Sequence, residues 1–231
     1  MEQTARRPEQ RAADARPSDS RPASQPAQPH AAAHKLPCSK EVVDLRRHRC
    51  ACAPAGELSC PVFFVGFMGA GKTSVARKLA RAAGVASIDM DTYIERSEGK
   101  RVKEIFAEVG EEGFRAVETR VLYELAAGEP RLISCGGGVV LAKENRDELK
   151  RAGFVVYLKV AAAEAASRIH DLSTRPLFRD LDNAQHVIDS RLPLYAEVAD
   201  VTVDTAGCGT GMIARKVQRI LEERGILWQR K

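Results

Sequence analysis

Gly66-Phe67-Met68-Gly69-Ala70-Gly71-Lys72-Thr73 decides the reading of this chain. It has the form G-x-x-x-x-G-K-[ST], a phosphate-binding loop. The apolar run Val62-Phe63-Phe64-Val65 leads into it, and a helical pattern from Ser74 to Ala83 leads out and stops at Gly84. A strand before and a helix after are the setting that distinguishes such a loop from a glycine-rich turn with an incidental lysine. The glycines let backbone N–H groups turn toward one anion, and the helix N-terminus adds partial positive charge. Lys72 has the reach for the β- and γ-phosphates of a nucleotide, and the Thr73 hydroxyl suits Mg²⁺.

Upstream of the loop the composition changes. Seven of the eleven prolines precede residue 60, in a stretch rich in Ala, Gln, Ser and Arg. Such a segment buries too little apolar surface to offset the entropy of ordering. Residues 1–58 are therefore expected to be a disordered Pro/Ala/Arg-rich extension, and residues 59–231 one folded domain. A secretory signal is excluded by the lack of an apolar core segment. A transit peptide would suit the Arg, Ser and Ala but not Glu2, Glu9, Asp14 and Asp19. Cys38, His48, Cys50, Cys52 and Cys60 lack paired C-x-x-C spacing, so a zinc site is the weaker reading and reduced thiols the plainer one. Nothing suggests a disulfide framework, which points to a reducing compartment, the cytoplasm. No apolar run approaches membrane-span length. The formal charge is +5, of which +3 falls up to Cys60 and +2 on the rest, so the domain offers no nucleic-acid footprint.

Downstream, the apolar stretch Val85 to Ile88 ends in Asp89-Met90-Asp91. Read as one extended strand, Asp89 and Asp91 share a side and face a cleft at the strand's carboxyl end. One carboxylate would then serve Mg²⁺ and the other a substrate hydroxyl; the competing reading makes Asp91 a helix N-cap. Helical patterns follow over 101–109 and about 111–127, stopped by Gly110 and Gly128. Arg115 and Glu118 share a face of the second, either as a surface ion pair or as a carboxylate-binding fork steadied by an acid. Leu132 to Cys135 reads as a buried strand running into Gly136-Gly137-Gly138, which is either a tight turn or backbone in contact with a ligand. Helix 143–152, strand 154–160, a short helix to about Ile169, helix 183–198, strand 200–205 and helix 210–224 complete the pattern. Residues 170–182 form a basic loop with Arg175 and Arg179, long enough to be a lid. Pro193 is expected to kink its helix, and Trp228 to cover the edge of the core. Alternating strands and helices predict an α/β fold with a five-stranded parallel sheet and helices on both faces.

Over about residues 61–225 this ordered set resembles the shikimate kinases. The residues that carry the resemblance are Gly66–Thr73, Asp89-Met90-Asp91, Phe114-Arg115 with Glu118, Gly136–Gly138, Arg175-Pro176-Leu177 and Arg191 to Tyr195. The resemblance implies a P-loop fold like that of the nucleoside monophosphate kinases, with core, substrate domain and lid. It implies phosphorylation of the shikimate 3-hydroxyl by ATP with Mg²⁺, by a monomer. Gly69, Ala70, Gly71, Lys72, Thr73 and Ser74 would hold the phosphates, and Arg168 would stack on adenine. Thr73 would ligate Mg²⁺, with Asp89 and Ser134 acting through its waters. Asp91 would bind the reacting hydroxyl, and Arg115 and Arg191 the substrate carboxylate. Gly136, Gly137 and Gly138 would contact ring hydroxyls, and Arg175 would reach the transferring phosphate. The chain departs from the usual pattern at Phe178, bulkier than the customary leucine. The competing readings are a gluconate-type or nucleotide kinase and a nucleotide-binding module without catalysis.

Overall fold

The computed structural model describes residues 56–168 and 181–229, the side chains of 181–183 excepted. The expected extension up to residue 55, Arg175 and residues 169–180 lie outside the described residues. Among the described residues fourteen elements follow one another. In chain order they are β1 (Gly56–Leu58), β2 (Val62–Val65), α1 (Lys72–Ala83), β3 (Ser87–Asp89), α2 (Met90–Glu98), α3 (Val102–Ala126) and β4 (Leu132–Ser134). Then come α4 (Lys143–Ala152), β5 (Phe154–Lys159), α5 (Ala162–Ser167), α6 (Leu181–Val198), β6 (Val201–Asp204), α7 (Thr210–Glu223) and β7 (Leu227–Gln229).

Five strands form one parallel sheet in the order β3-β4-β2-β5-β6. The chain leaves β2 for the far edge at β3, returns to β4, then crosses to β5 on the other side. The direction of winding thus reverses at β2, and a crevice opens outside the carboxyl ends of the strands there. All four residues of β2 are fully buried because both faces are covered. Val62 and Phe64 join a core with α1 and α7; Phe63 and Val65 join a second core with α2, α3 and α4. Helix α6 contributes to both, through Ala184 and Ile188 at its start and Tyr195 and Val198 at its end.

Several boundaries differ from the sequence reading. Gly56–Leu58 pairs antiparallel with β7, so three residues assigned by composition to the extension belong to the fold. Trp228 does not cover the core: it is 42% exposed on β7, and its indole N–H donates to Glu57 at 3.2 Å. Alternation explains this, since Leu227 turns inward and its neighbour must turn outward. The expected break at Gly110 is a kink inside α3, where φ is 70° and ψ −173°. Leu181 and Asp182, within the range expected for the lid, are described as part of helix α6, which continues through Pro193. Among the described residues no helix is long and apolar enough to cross a membrane.

Phe63 is fully buried on the central strand. Phe63→Ala is expected to cost about 3–5 kcal/mol of unfolding free energy in urea titration, the range for a large aromatic cavity; a loss under about 1 kcal/mol would contradict this core.

Candidate active site

The loop after β2 reverses into α1 at Gly71, whose φ of 88° strains any residue with a Cβ. Helix α1 then begins with no acidic residue in its first turn and no side-chain cap. Its N-terminal N–H groups are thus directed at the crevice without a built-in anion. Lys72 folds back over the loop, its Nζ donating to the carbonyls of Gly66 at 2.8 Å and Phe67 at 3.0 Å. Ala70 is fully buried, and its N–H donates to Phe67 at 3.2 Å, so this residue shapes the loop from beneath.

Three hard oxygens meet beside the loop. Thr73 Oγ1 donates to Asp89 Oδ2 at 2.6 Å and lies 3.0 Å from Ser134 Oγ. Strand pairing accounts for this, because the β3–β4 register puts Asp89 opposite Ser134. The other Asp89 oxygen accepts from the N–H and hydroxyl of Thr92, both at 3.1 Å. Asp89 is therefore the N-cap of α2, and the extended stretch ends there. The sequence reading that placed Asp89 and Asp91 on alternate positions of one strand is corrected: Asp91 sits in the first helical turn. Both still line the cleft. Hydroxyl and carboxylate oxygens without a sulfur ligand suit Mg²⁺. The nearby Cys135 turns its thiol to the Ile133 carbonyl, and burial pushes its pKa up, so it remains a thiol.

The opposite end is built on α3. Arg115 Nη1 donates to Glu118 at 2.7 Å, and Nη2 to Glu111 at 3.2 Å. Glu118 is 1% exposed, whereas Glu111 is 70% exposed. Burial pushes the Glu118 carboxyl above its usual range, and the Arg115 guanidinium opposes that shift. The glycine segment after β4 covers the pair. A methyl on Gly138 would overlap the Arg115 guanidinium, and one on Gly136 would overlap the Glu118 carboxylate. A side chain at either position would therefore move a charged neighbour. Gly137 has room beside it and turns its carbonyl to Tyr195 Oη, which donates at 2.6 Å. Arg191 Nη1 lies 3.4 Å from the same carbonyl, and its guanidinium lies 5.9 Å from the Phe67 ring. Arg191 thus joins the glycine segment to the phosphate loop and is not a solvated helix charge.

These parts face one cleft of about 960 Å³. Gly69, Gly71, Lys72, Thr73, Ser74, Asp89, Asp91, Arg115, Ser134, Gly136, Gly137, Gly138, Arg168 and Arg191 line it. Arg168 donates to Thr205 Oγ1 at 3.0 Å, to its carbonyl at 2.7 Å, and to Glu164 at 2.6 Å. It thereby ties α5 to the turn before α7. Sequence reasoning missed Cys208, Gly209 and Thr210, which wall that end, and Phe106 at the other, where it lies beside Phe114 of the Phe114-Arg115 motif. The turn at the carboxyl end of β6 was the available signal for the first three.

The family model described as shikimate kinase matches residues 68–222. A shikimate kinase of Actinobacillus succinogenes is 38% identical over 165 residues, 70% of this chain and 94% of that one. One from Vibrio campbellii is 40% identical over 167 residues, 71% and 96% of the two chains. The solved shikimate kinase from Acinetobacter baumannii in complex with shikimate is 35% identical, with a TM-score of 0.67 over 71% of this chain and 94% of its own.

The Glu118 shift has a sign that can be tested. A carboxyl whose folded pKa is raised stabilises the fold below its unfolded pKa, and that contribution is lost as pH rises through the folded value. The stability of Glu118→Gln relative to the parent should therefore improve as pH rises from about 4 to 8. Urea titrations across that range check it; a pH-independent difference would contradict the raised carboxyl.

Proposed function

The chain belongs to the shikimate kinase family, and from that footing we propose that it transfers the γ-phosphoryl group of ATP to the 3-hydroxyl of shikimate, giving shikimate 3-phosphate and ADP. This is a phosphotransfer to an alcohol within the shikimate pathway. The observation that carries the assignment of roles is the cleft itself, with an uncapped helix N-terminus and Lys72 at one end and a guanidinium seated on a buried carboxylate at the other.

The loop from Gly69 to Ser74 receives the phosphates, its N–H groups and Lys72 offsetting their charge. Lys72 exchanges its carbonyl acceptors for phosphate oxygens. Thr73 would ligate Mg²⁺, with Asp89 and Ser134 holding its waters; the ion would supply positive charge to offset that of the phosphates. Arg168, fixed by Thr205 and Glu164, presents its planar face to the adenine. Arg115 and Arg191 take the shikimate carboxylate, a match for two-pronged recognition. Gly136, Gly137 and Gly138 bring backbone to the ring hydroxyls. Arg175 reaches the transferring phosphate from the segment after α5.

Asp91 accepts a hydrogen bond from the 3-hydroxyl and points its oxygen at the γ-phosphorus. As the O–P bond forms, the bond from phosphorus to the β–γ bridging oxygen breaks and ADP leaves. The transition state is loose, so the hydroxyl proton passes late to Asp91 and from there to water. Positioning and charge stabilisation thus account for most of the acceleration. We place the protein in the cytoplasm as a monomer.

The direct test is ADP release with Mg-ATP and, in parallel, shikimate, quinate, gluconate or AMP as acceptor. Turnover with shikimate alone is expected; turnover with another acceptor would retain the phosphate chemistry and discard the roles of Arg115 and Arg191. Asp91→Asn should lower kcat by about 100-fold or more, in the range for a lost acid–base group, and near-parental turnover would remove Asp91 from its role.

A further inference from the structure

Tyr195 is fully buried and stacks on Tyr157, with ring centroids 5.0 Å apart and planes 16° apart. Phenylalanine would serve that packing equally well. A buried hydroxyl costs desolvation free energy unless it is bonded, so the place where the bond goes identifies what the hydroxyl does. It goes to the carbonyl of Gly137, in the wall of the cleft, at 2.6 Å. Arg191, one helical turn earlier on α6, reaches the same carbonyl only at 3.4 Å. The phenol is therefore the principal anchor of this peptide, and the guanidinium is left able to turn to a carboxylate. Gly136 and Gly138 on either side lie tight against Glu118 and Arg115. A shift of the Gly137 peptide is thereby passed to the ion pair.

We infer that Tyr195 is a positioning residue for the acceptor substrate: its hydroxyl fixes the Gly137 peptide, and through it Arg191 and the glycine segment over Arg115. The identity of that substrate rests on the shikimate reading; the contact does not. Burial pushes the Tyr195 phenol up to about 12, so it remains a donor throughout the working pH range.

The test uses Tyr195→Phe in the full chain. KM for shikimate should rise about tenfold, the size of one lost hydrogen bond, while KM for ATP stays within about twofold. In the ligand-free protein, amide hydrogen exchange over residues 136–141 should quicken, with β2 and β5 unchanged. Tyr157→Phe, which keeps the stack, should match the parent in both readouts. An unchanged KM for shikimate overturns the inference whatever happens to Tm, because a purely structural tyrosine would move Tm alone. Equal rises in both KM values overturn it by showing general loosening. A parent protein that does not turn over shikimate would defeat the substrate assignment, and the exchange comparison, which needs no substrate, would still decide the role of the contact.

Discussion

The ion pair between Arg115 and Glu118 is the constraint on which the acceptor end of the molecule depends. A carboxylate that is 1% exposed is costly to bury, and a guanidinium at 2.7 Å offsets part of that cost. Removing Arg115 would leave the Glu118 charge in a poorly solvated place, so the pair fixes the face that α3 turns to the cleft. The pair also dictates the residues opposite. A side chain at 136 or 138 would displace the end of Glu118 or of Arg115. The glycine segment follows β4, so the end of that strand and helix α3 meet at the site itself.

The phosphate end follows a similar logic with weaker interactions. The parallel pairing of β3 with β4 brings Asp89 to Ser134, and the first turn of α1 brings Thr73 to both. Lys72 rests on two carbonyls of its own loop. Thr73, Asp89 and Ser134 thus stand together beside the loop. Arg191 connects the two ends, with Gly137 on one side and the Phe67 ring on the other. The cleft is thus one structure assembled from the carboxyl ends of β2, β3 and β4, from α3 and α6, and from the turn after β6.

Much of this was legible in the sequence, and the reasons differ from residue to residue. Gly66–Thr73 was readable because its glycine positions answer to backbone geometry that other residues resist, and because strand and helix flank it. The five-stranded sheet was readable because both of its faces are buried and its strands are correspondingly apolar. The i, i+2 spacing of Asp89 and Asp91 misled, since the Asp89 side-chain cap to Thr92 starts α2 two residues sooner than either reading of Asp91 supposes. The three glycines pointed to the site, but their spacing could not say that two of them accommodate charged side chains from α3. The β1–β7 ribbon was not legible, for three-residue strands carry no periodicity, and Trp228 was misplaced with it. Tyr195 stood in the sequence only as the end of the Arg191 to Tyr195 motif; it is fully buried, and the direction of its hydroxyl is visible in the structure alone.

The central claim is that Arg115, held by Glu118, receives the substrate carboxylate while Asp91 receives the reacting hydroxyl. A crystal structure of the chain with shikimate and ADP tests this most directly. The account predicts the carboxylate on the guanidinium groups of Arg115 and Arg191, a ring hydroxyl on Asp91, and the β-phosphate in the loop from Gly69 to Ser74. A carboxylate bound elsewhere, with Arg115 still turned to Glu111 and no ring hydroxyl at Asp91, would contradict it.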